Sequence, residues 1–103
     1  VPRATWTEWR ADVCYHPAGG ESLVELQDRV AEACDELLAD AIRRDVVIVT
    51  HVSPVKAAVA WALGVGCEVS WRTFVAPASI TRIAGGPWGP SMHSFNETAH
   101  LSA

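Results

Sequence analysis

An α/β fold is what the sequence predicts, and three features predict it. A capping serine opens a long amphipathic helical pattern from about residue 23. An unbroken aliphatic run, Val46-Val47-Ile48-Val49, follows it. A second helical pattern begins almost at once after that run. Helix, buried strand and helix in close succession are the layering of α/β proteins.

Residues 1–20 read as irregular, broken by Pro2, Pro17, Gly19 and Gly20. A short helix is predicted around Thr5–Ala11, and Trp6, Trp9 and Tyr15 are expected to cover a core edge. Ser22-Leu23-Val24-Glu25 then forms a capping box, in which the serine oxygen takes an orphan amide and the glutamate reaches back. The helix it opens should run from Leu23 to Arg43. Leu23, Leu26, Val30, Cys34, Leu37, Leu38, Ala41 and Ile42 recur at helical spacing and predict one buried stripe. Glu25, Asp28, Glu32, Asp35, Glu36 and Asp40 lie mainly off that stripe and read as a solvated face. Arg43 and Arg44 suit the negative pole of the helix.

Residues 46–50 read as a strand buried on both faces, because four consecutive aliphatic residues leave no polar side for water. The next helix is predicted over Pro54–Leu63, with Ser53 as its cap, Pro54 in the first turn and Gly64 as a left-handed stop. Its alanines, Ala57, Ala58, Ala60 and Ala62, permit close packing. Strand-like stretches follow at Trp71–Val75 and Ser79–Ala84. The Gly85-Gly86-Pro87-Trp88-Gly89-Pro90 turn should return a last strand, Ser91–Phe95, as a hairpin.

The chain has 103 residues, enough for one domain, and half of it is hydrophobic, so it can bury a core. It is small for a sheet covered by helices on both faces. Val1 stands at the first position and no signal peptide or membrane-spanning run is visible, so a processed chain or a piece of a longer one is expected. The net charge of −4 and the lack of a basic stretch speak against direct nucleic-acid binding. Cys14, Cys34 and Cys67 are odd in number and widely spaced, which opposes a disulfide framework or a structural zinc site and suits the reducing cytoplasm. Cys34 reads as a small core residue.

His51 is the strongest chemical candidate. It falls in the turn between the carboxyl end of the aliphatic run and a helix start, where open α/β sheets bind ligands. Helix amides there favour an anion, above all a phosphate, and a histidine can donate to a phosphoryl oxygen or carry a proton. A histidine at a strand end also serves simply as a partner for backbone, and on the local pattern both roles stand. The other constellations are weak. Cys14, His16, His51, His93 and His100 lack metal-ligand spacing beyond Cys14-x-His16, no Gly-x-Ser-x-Gly occurs, and neither Gly-Gly pair is a phosphate-loop pattern.

Five motifs in order carry a family resemblance that spans about Trp6 to Leu101. They are Pro17-Ala18-Gly19-Gly20-Glu21-Ser22, then Arg29-Val30, then Val46 to Lys56 around His51, then Ala76-Pro77-Ala78-Ser79-Ile80-Thr81, then Phe95 to Leu101. The chain resembles the C-terminal half of the histidine phosphatase superfamily, the phosphoglycerate-mutase-like group. The His-Val-Ser-Pro-Val-Lys form looks most like bacterial phosphatases, including acid-phosphatase domains fused to ribonuclease H. The glycolytic mutases usually carry glycine after this histidine.

The resemblance implies a three-layer sandwich with a mostly parallel central sheet, incomplete at the N-terminus, with residues 1–103 forming the C-terminal part of one domain. It implies hydrolysis of a small phosphomonoester through a phosphohistidine, with no cofactor and no metal. His51 matches the second, non-nucleophilic histidine and the Val52 amide the backbone donor after it. Glu21 and Ser22 match a Gly-Gly-Glu-Ser motif in a capping role, and Arg29 is expected in a structural ion pair. Ser53 is expected to cap, and Asn96 and His100 to supply hydrogen bonds near the site. The family's nucleophile lies in an Arg-His-Gly motif, and that tripeptide is absent here. Tyr15-His16-Pro17 is no substitute, and Arg3 and Arg10 match none of the family's phosphate-binding arginines. This chain alone is therefore expected to lack activity and to associate through an exposed sheet edge at 46–50. The upstream loops, with Trp88 and its turn, are expected to shape specificity. Two other readings stay open: a non-catalytic remnant that binds phosphate or a partner, and a mutase that moves phosphate between hydroxyls.

Overall fold

A computed structural model describes residues 7, 8, 10–16 and 19–101. Thr5, Trp6, Trp9, Pro2, Pro17 and Ala18 lie outside them. Thr7, Glu8, Arg10 and Ala11 are helical, in keeping with the short N-terminal helix, and Tyr15 is half-buried.

Helix α1 spans Leu23–Arg43. Its start is the capping box the sequence predicts: the Glu25 amide donates to Ser22 Oγ at 3.1 Å, and the Ser22 amide donates to Glu25 Oε1 at 2.9 Å. Two orphan donors are thereby satisfied at a buried position, since Ser22 itself is buried. Helix α2 spans Val52–Leu63 and ends at Gly64, whose φ of 68° is the left-handed stop. It begins two residues earlier than the sequence suggests. His51, not Ser53, is its N-cap, in an extended conformation and without a side-chain cap hydrogen bond. Pro54 is tolerated at the third helical position because amides of the first turn have no partner inside the helix.

The two helices pack through small residues. Ala57, Val59 and Ala60 are buried, and together with Leu23, Cys67 and Val75 they form the core. Burying the Val59 side chain contributes roughly 2 kcal/mol. Polar groups fix the packing: Gln27 Nε2 donates to the Ala57 carbonyl at 3.0 Å, and Trp61 Nε1 donates to Asp35 Oδ1 at 2.8 Å. The predicted buried stripe of α1 is only partly buried. Leu23 is enclosed, whereas Val30, Cys34, Leu37, Leu38 and Ala41 are half-buried and Ile42 is exposed.

A 3-10 helix, η1, occupies Cys67–Arg72, where the sequence suggested a strand over Trp71–Val75. The Thr73 hydroxyl meets the carbonyls of Val69 and Ser70 at 3.3 and 3.4 Å, which favours a helical turn over an extended segment. Lys56 Nζ donates to the Ser70 carbonyl at 2.9 Å and ties η1 to α2.

Strands β1 (Ile80–Ala84) and β2 (Ser91–Glu97) form an antiparallel hairpin, as expected, with irregular register around Arg82. Gly85 approaches α1 closely: a Cβ there would lie 2.9 Å from Leu38 Cδ1 and 3.0 Å from Ile42 Cγ1, so those side chains would have to shift. The hairpin turn therefore packs near the carboxyl end of α1. A short 3-10 turn, Ala99–Leu101, follows β2.

The predicted strand at 46–50 is not a strand. Among the described residues the only sheet is the β1–β2 pair, and 46–50 finds no backbone partner. It is not buried either: Val47 is 85% and Val49 93% exposed. A strand is completed by a neighbour, and none of the described segments lies alongside this run to pair with it. The mostly parallel sheet has no counterpart among the described residues for the same reason.

Two predictions follow from these contacts. Ser22→Ala should lower unfolding free energy by about 1 kcal/mol in a denaturant titration, the usual loss for an N-cap. The second concerns Glu97, whose carboxyl is held below the ordinary glutamate value by the Ser94 hydroxyl and then by Arg82, 2.8 Å away. A depressed folded-state value makes this contribution complete above the unfolded pKa and lost as pH falls through the folded one. Ser94→Ala should therefore raise the Glu97 titration midpoint, read by NMR of its side-chain carboxyl.

Candidate functional site

His51 sits at the junction that the helices impose. α1 delivers the chain at Arg43, residues 45–50 cross the open side of the molecule, and α2 begins at Val52. The His51 carbonyl accepts the Val55 amide at 3.2 Å, so its backbone is used as a cap. Its imidazole is exposed and makes no hydrogen bond with any described residue. The bland role of a histidine bound to backbone is thus not the one it plays here. The amides of Val52 and Ser53, at the first two helical positions, have no backbone acceptor among the described residues. Two free amides and the positive pole of α2 thus stand beside a free imidazole, a combination suited to a phosphoryl group.

These groups line an open cleft of about 1370 Å³. Residues of α1, including Val30 and Leu37, and residues 75–85 also line it. Of the residues singled out from sequence, His51, Val52, Ser53 and Arg29 line it. Glu21 and Ser22 do not. They sit at the start of α1, where Ser22 caps and Glu21 holds Arg29: Arg29 NH2 lies 2.7 Å from Glu21 Oε1. That bond holds the Glu21 carboxyl below its usual range and raises the Arg29 guanidinium. The expected ion pair of Arg29 is therefore present, with Glu21 as partner. Ser53 lines the cleft without capping.

Asn96 and His100 act on the cleft from behind. Asn96 Oδ1 accepts the Ala76 amide at 2.8 Å, and the Asn96 amide donates to Thr81 Oγ1 at 3.2 Å. His100 Nε2 donates to the Ala78 carbonyl at 2.7 Å. Ala78 falls in one of the five sequence motifs, but its conformation was not foreseen: its φ of 61° is left-handed for a residue with a Cβ. No local signal marks it, since such turns ordinarily carry Gly, Asn or Asp.

His16 stands apart from the cleft, with Nδ1 3.0 Å from Glu25 Oε1 in the capping box. Trp88 is 98% exposed in the hairpin turn. That turn follows Gly85, which packs by Leu38 and Ile42 near the carboxyl end of α1, and Trp88 is not among the residues that line the cleft. Cys14, Cys34 and Cys67 are free thiols. Burial pushes the Cys34 and Cys67 thiols up, aided at Cys67 by Glu68. No group of three or more potential metal ligands occurs among the described residues. No helix among them is long and apolar enough to cross a membrane.

The chain matches the profile of the histidine phosphatase superfamily (branch 1) over residues 1–98. Among solved structures, a phosphoserine phosphatase mutant from Entamoeba histolytica in complex with phosphoserine superposes with a TM-score of 0.82 at 20% identity, covering 95% of this chain and 51% of that one. Bifunctional protein Rv2228c of Mycobacterium tuberculosis (strain ATCC 25618 / H37Rv) is 32% identical over 73 residues, 71% of this chain and 20% of that protein. An uncharacterized protein of Mycobacterium bovis, Mb2253c, matches to the same extent. The chain belongs to the histidine phosphatase superfamily and has its fold. It spans about half of the phosphoserine phosphatase and a fifth of the mycobacterial relatives.

A prediction follows for the Arg29 pair. Arg29→Gln should raise the Glu21 titration midpoint toward the ordinary glutamate value, measured by NMR. The loss of a favourable partner restores the proton to the carboxylate.

Proposed function

We propose that this chain is the C-terminal part of a single histidine phosphatase domain. In the parent polypeptide that domain hydrolyses a small phosphomonoester through a phosphohistidine, in the manner of an acid phosphatase. The observation supporting it is the free imidazole of His51 beside the unpaired amides of Val52 and Ser53 at the start of α2. The phosphoserine phosphatase among similar structures suits a small phosphorylated substrate.

In this reading the nucleophilic histidine comes from a preceding segment of the parent. Its nitrogen attacks phosphorus, and the phosphorus–oxygen bond to the leaving alcohol breaks as a carboxylic acid protonates that oxygen. Water then attacks the phosphorus while that carboxylate takes its proton back, the phosphorus–nitrogen bond breaks, and the imidazole leaves with inorganic phosphate as product. His51 donates to a phosphoryl oxygen and, with the amides of Val52 and Ser53, stabilises the charge spread over the equatorial oxygens. These donors are placed before substrate arrives, so they need no reorganisation during the reaction.

The same preceding segment completes a three-layer sandwich with a mostly parallel central sheet by laying a strand along 46–50. Without it, the aliphatic run is an unpaired edge, and edges of this kind associate. The isolated chain should therefore self-associate. Sedimentation should show a concentration-dependent increase in mass, and Val47→Lys with Val49→Lys should reduce it. A monodisperse wild-type monomer with a cooperative melt would contradict this.

In the parent protein, His51→Ala should lower kcat by about 10²–10³-fold, the usual effect of removing one donor to a transition-state oxyanion. A variant with full turnover of p-nitrophenyl phosphate and phosphoserine would refute the role of His51. The isolated 103-residue chain should form no phosphohistidine. If the parent binds inorganic phosphate but turns over no phosphomonoester, the non-catalytic reading replaces this one.

A further inference from the structure

Two residues with a Cβ hold positive φ, Ala78 at 61° and Asn96 at 56°, and both belong to one hydrogen-bonded cluster. The Ala76–Ser79 loop closes on itself, with the Ser79 amide 3.2 Å from the Ala76 carbonyl. Asn96 Oδ1 accepts the Ala76 amide, and His100 Nε2 donates to the Ala78 carbonyl. Left-handed backbone at a non-glycine residue persists only where its surroundings over-determine it, and such residues gather at functional sites. Asparagine tolerates this conformation well and alanine poorly, so the costly member is the one inside the loop.

The loop lines the same cleft as His51, with the rest of residues 75–85. Its internal and bracing bonds use the Ala76 amide and carbonyl, the Ala78 carbonyl and the Ser79 amide. Pro77 has no amide hydrogen. Among the described residues the Ala78 amide, the Ser79 hydroxyl and the Pro77 carbonyl have no partner. The amide donates, the hydroxyl can donate as well as accept, and no carboxylate from the loop competes for them.

We propose that Ala76–Ser79 is a specificity loop that recognises the non-phosphoryl part of the substrate. Ser79 Oγ and the Ala78 amide donate to an acceptor on the leaving group, a carboxylate or hydroxyl. Asn96 and His100 are positioning residues that hold the loop in its left-handed turn and touch no substrate. This rests on the phosphatase reading for its chemistry, while its binding content stands apart from turnover. A substrate whose leaving group carries an acceptor is favoured over one whose leaving group is bare hydrocarbon.

The test compares phosphoglycolate, whose leaving group bears a carboxylate, with phenyl phosphate, whose leaving group bears none, in the full-length parent protein. Ser79→Ala should raise KM for phosphoglycolate by roughly tenfold, the upper range for one hydrogen bond, and more than for phenyl phosphate. His100→Ala and Asn96→Gly should do the same. Asn96→Gly keeps the backbone conformation and loses the acceptor. His100→Gln, which restores an N–H donor, and Asn96→Asp, which restores the acceptor, should recover the preference. A purely structural role would lower both substrates together and leave the ratio unchanged.

Calorimetric binding of phosphoglycolate to the same variants separates the failures. Turnover with an unchanged substrate ratio across Ser79→Ala, His100→Ala and Asn96→Gly overturns the loop assignment and leaves the phosphatase reading intact. Binding that weakens in these variants while the wild type turns over neither ester overturns the phosphatase reading and sustains the loop. A wild type that neither binds nor turns over either ester overturns both.

Discussion

The position of His51 depends on residues 45–50, which are anchored by a helix at each end and, among the described residues, paired along neither edge. α1 is set by its capping box and by the bonds that join it to α2, so the ends of the run are fixed in space. The run between them needs neither a buried face nor a ladder to place His51 at the start of α2. Its aliphatic side chains remain outside the core, which lies instead between α2, η1 and the first turn of α1. The arrangement keeps a histidine and two helix amides at the cleft surface and leaves its aliphatic wall available to a neighbouring strand.

The part formed by residues 75–85 is built differently. It is held by hydrogen bonds from the end of β2 and from His100, and it carries the strained conformation of Ala78. One part of the cleft therefore carries an exposed imidazole and the free amides of a helix terminus, and another carries a braced loop. The first is suited to a phosphoryl group, whose oxygens are shared by every phosphomonoester. The second is suited to what distinguishes one ester from another. A fold fixes the former more readily than the latter, and this is the ordinary division between family chemistry and individual specificity.

Much of the helical structure was legible in sequence because its signals are local. Ser22 and Glu25 are three residues apart, and the Leu23–Arg43 periodicity needs no distant partner. Gly64 announced its own left-handed stop. The start of α2 was misplaced because Ser53-Pro54 resembles a cap and first position, whereas His51 caps with backbone alone. The errors at 46–50 and at Trp71–Val75 share a cause. Aliphatic and aromatic residues indicate what a segment can do, but a strand exists only where another segment supplies its ladder. At 46–50 none of the described segments does so, and at Thr73 a hydroxyl makes the 3-10 turn the better use of two carbonyls. The position of His51, between the aliphatic run and a helix start, was legible. The left-handed turn at Ala78 was not, because its cause lies 18 and 22 residues away in Asn96 and His100.

The most direct measurement traps the phosphoenzyme of the parent protein and maps the labelled peptide. Rapid quenching with a labelled phosphomonoester should give an acid-labile, base-stable phosphate on a peptide that precedes Val1, with the peptide containing His51 unlabelled. That result assigns His51 to transition-state stabilisation and the nucleophile to the preceding segment. Label on the His51 peptide would contradict the account, making His51 the nucleophile and the cleft a different kind of active site.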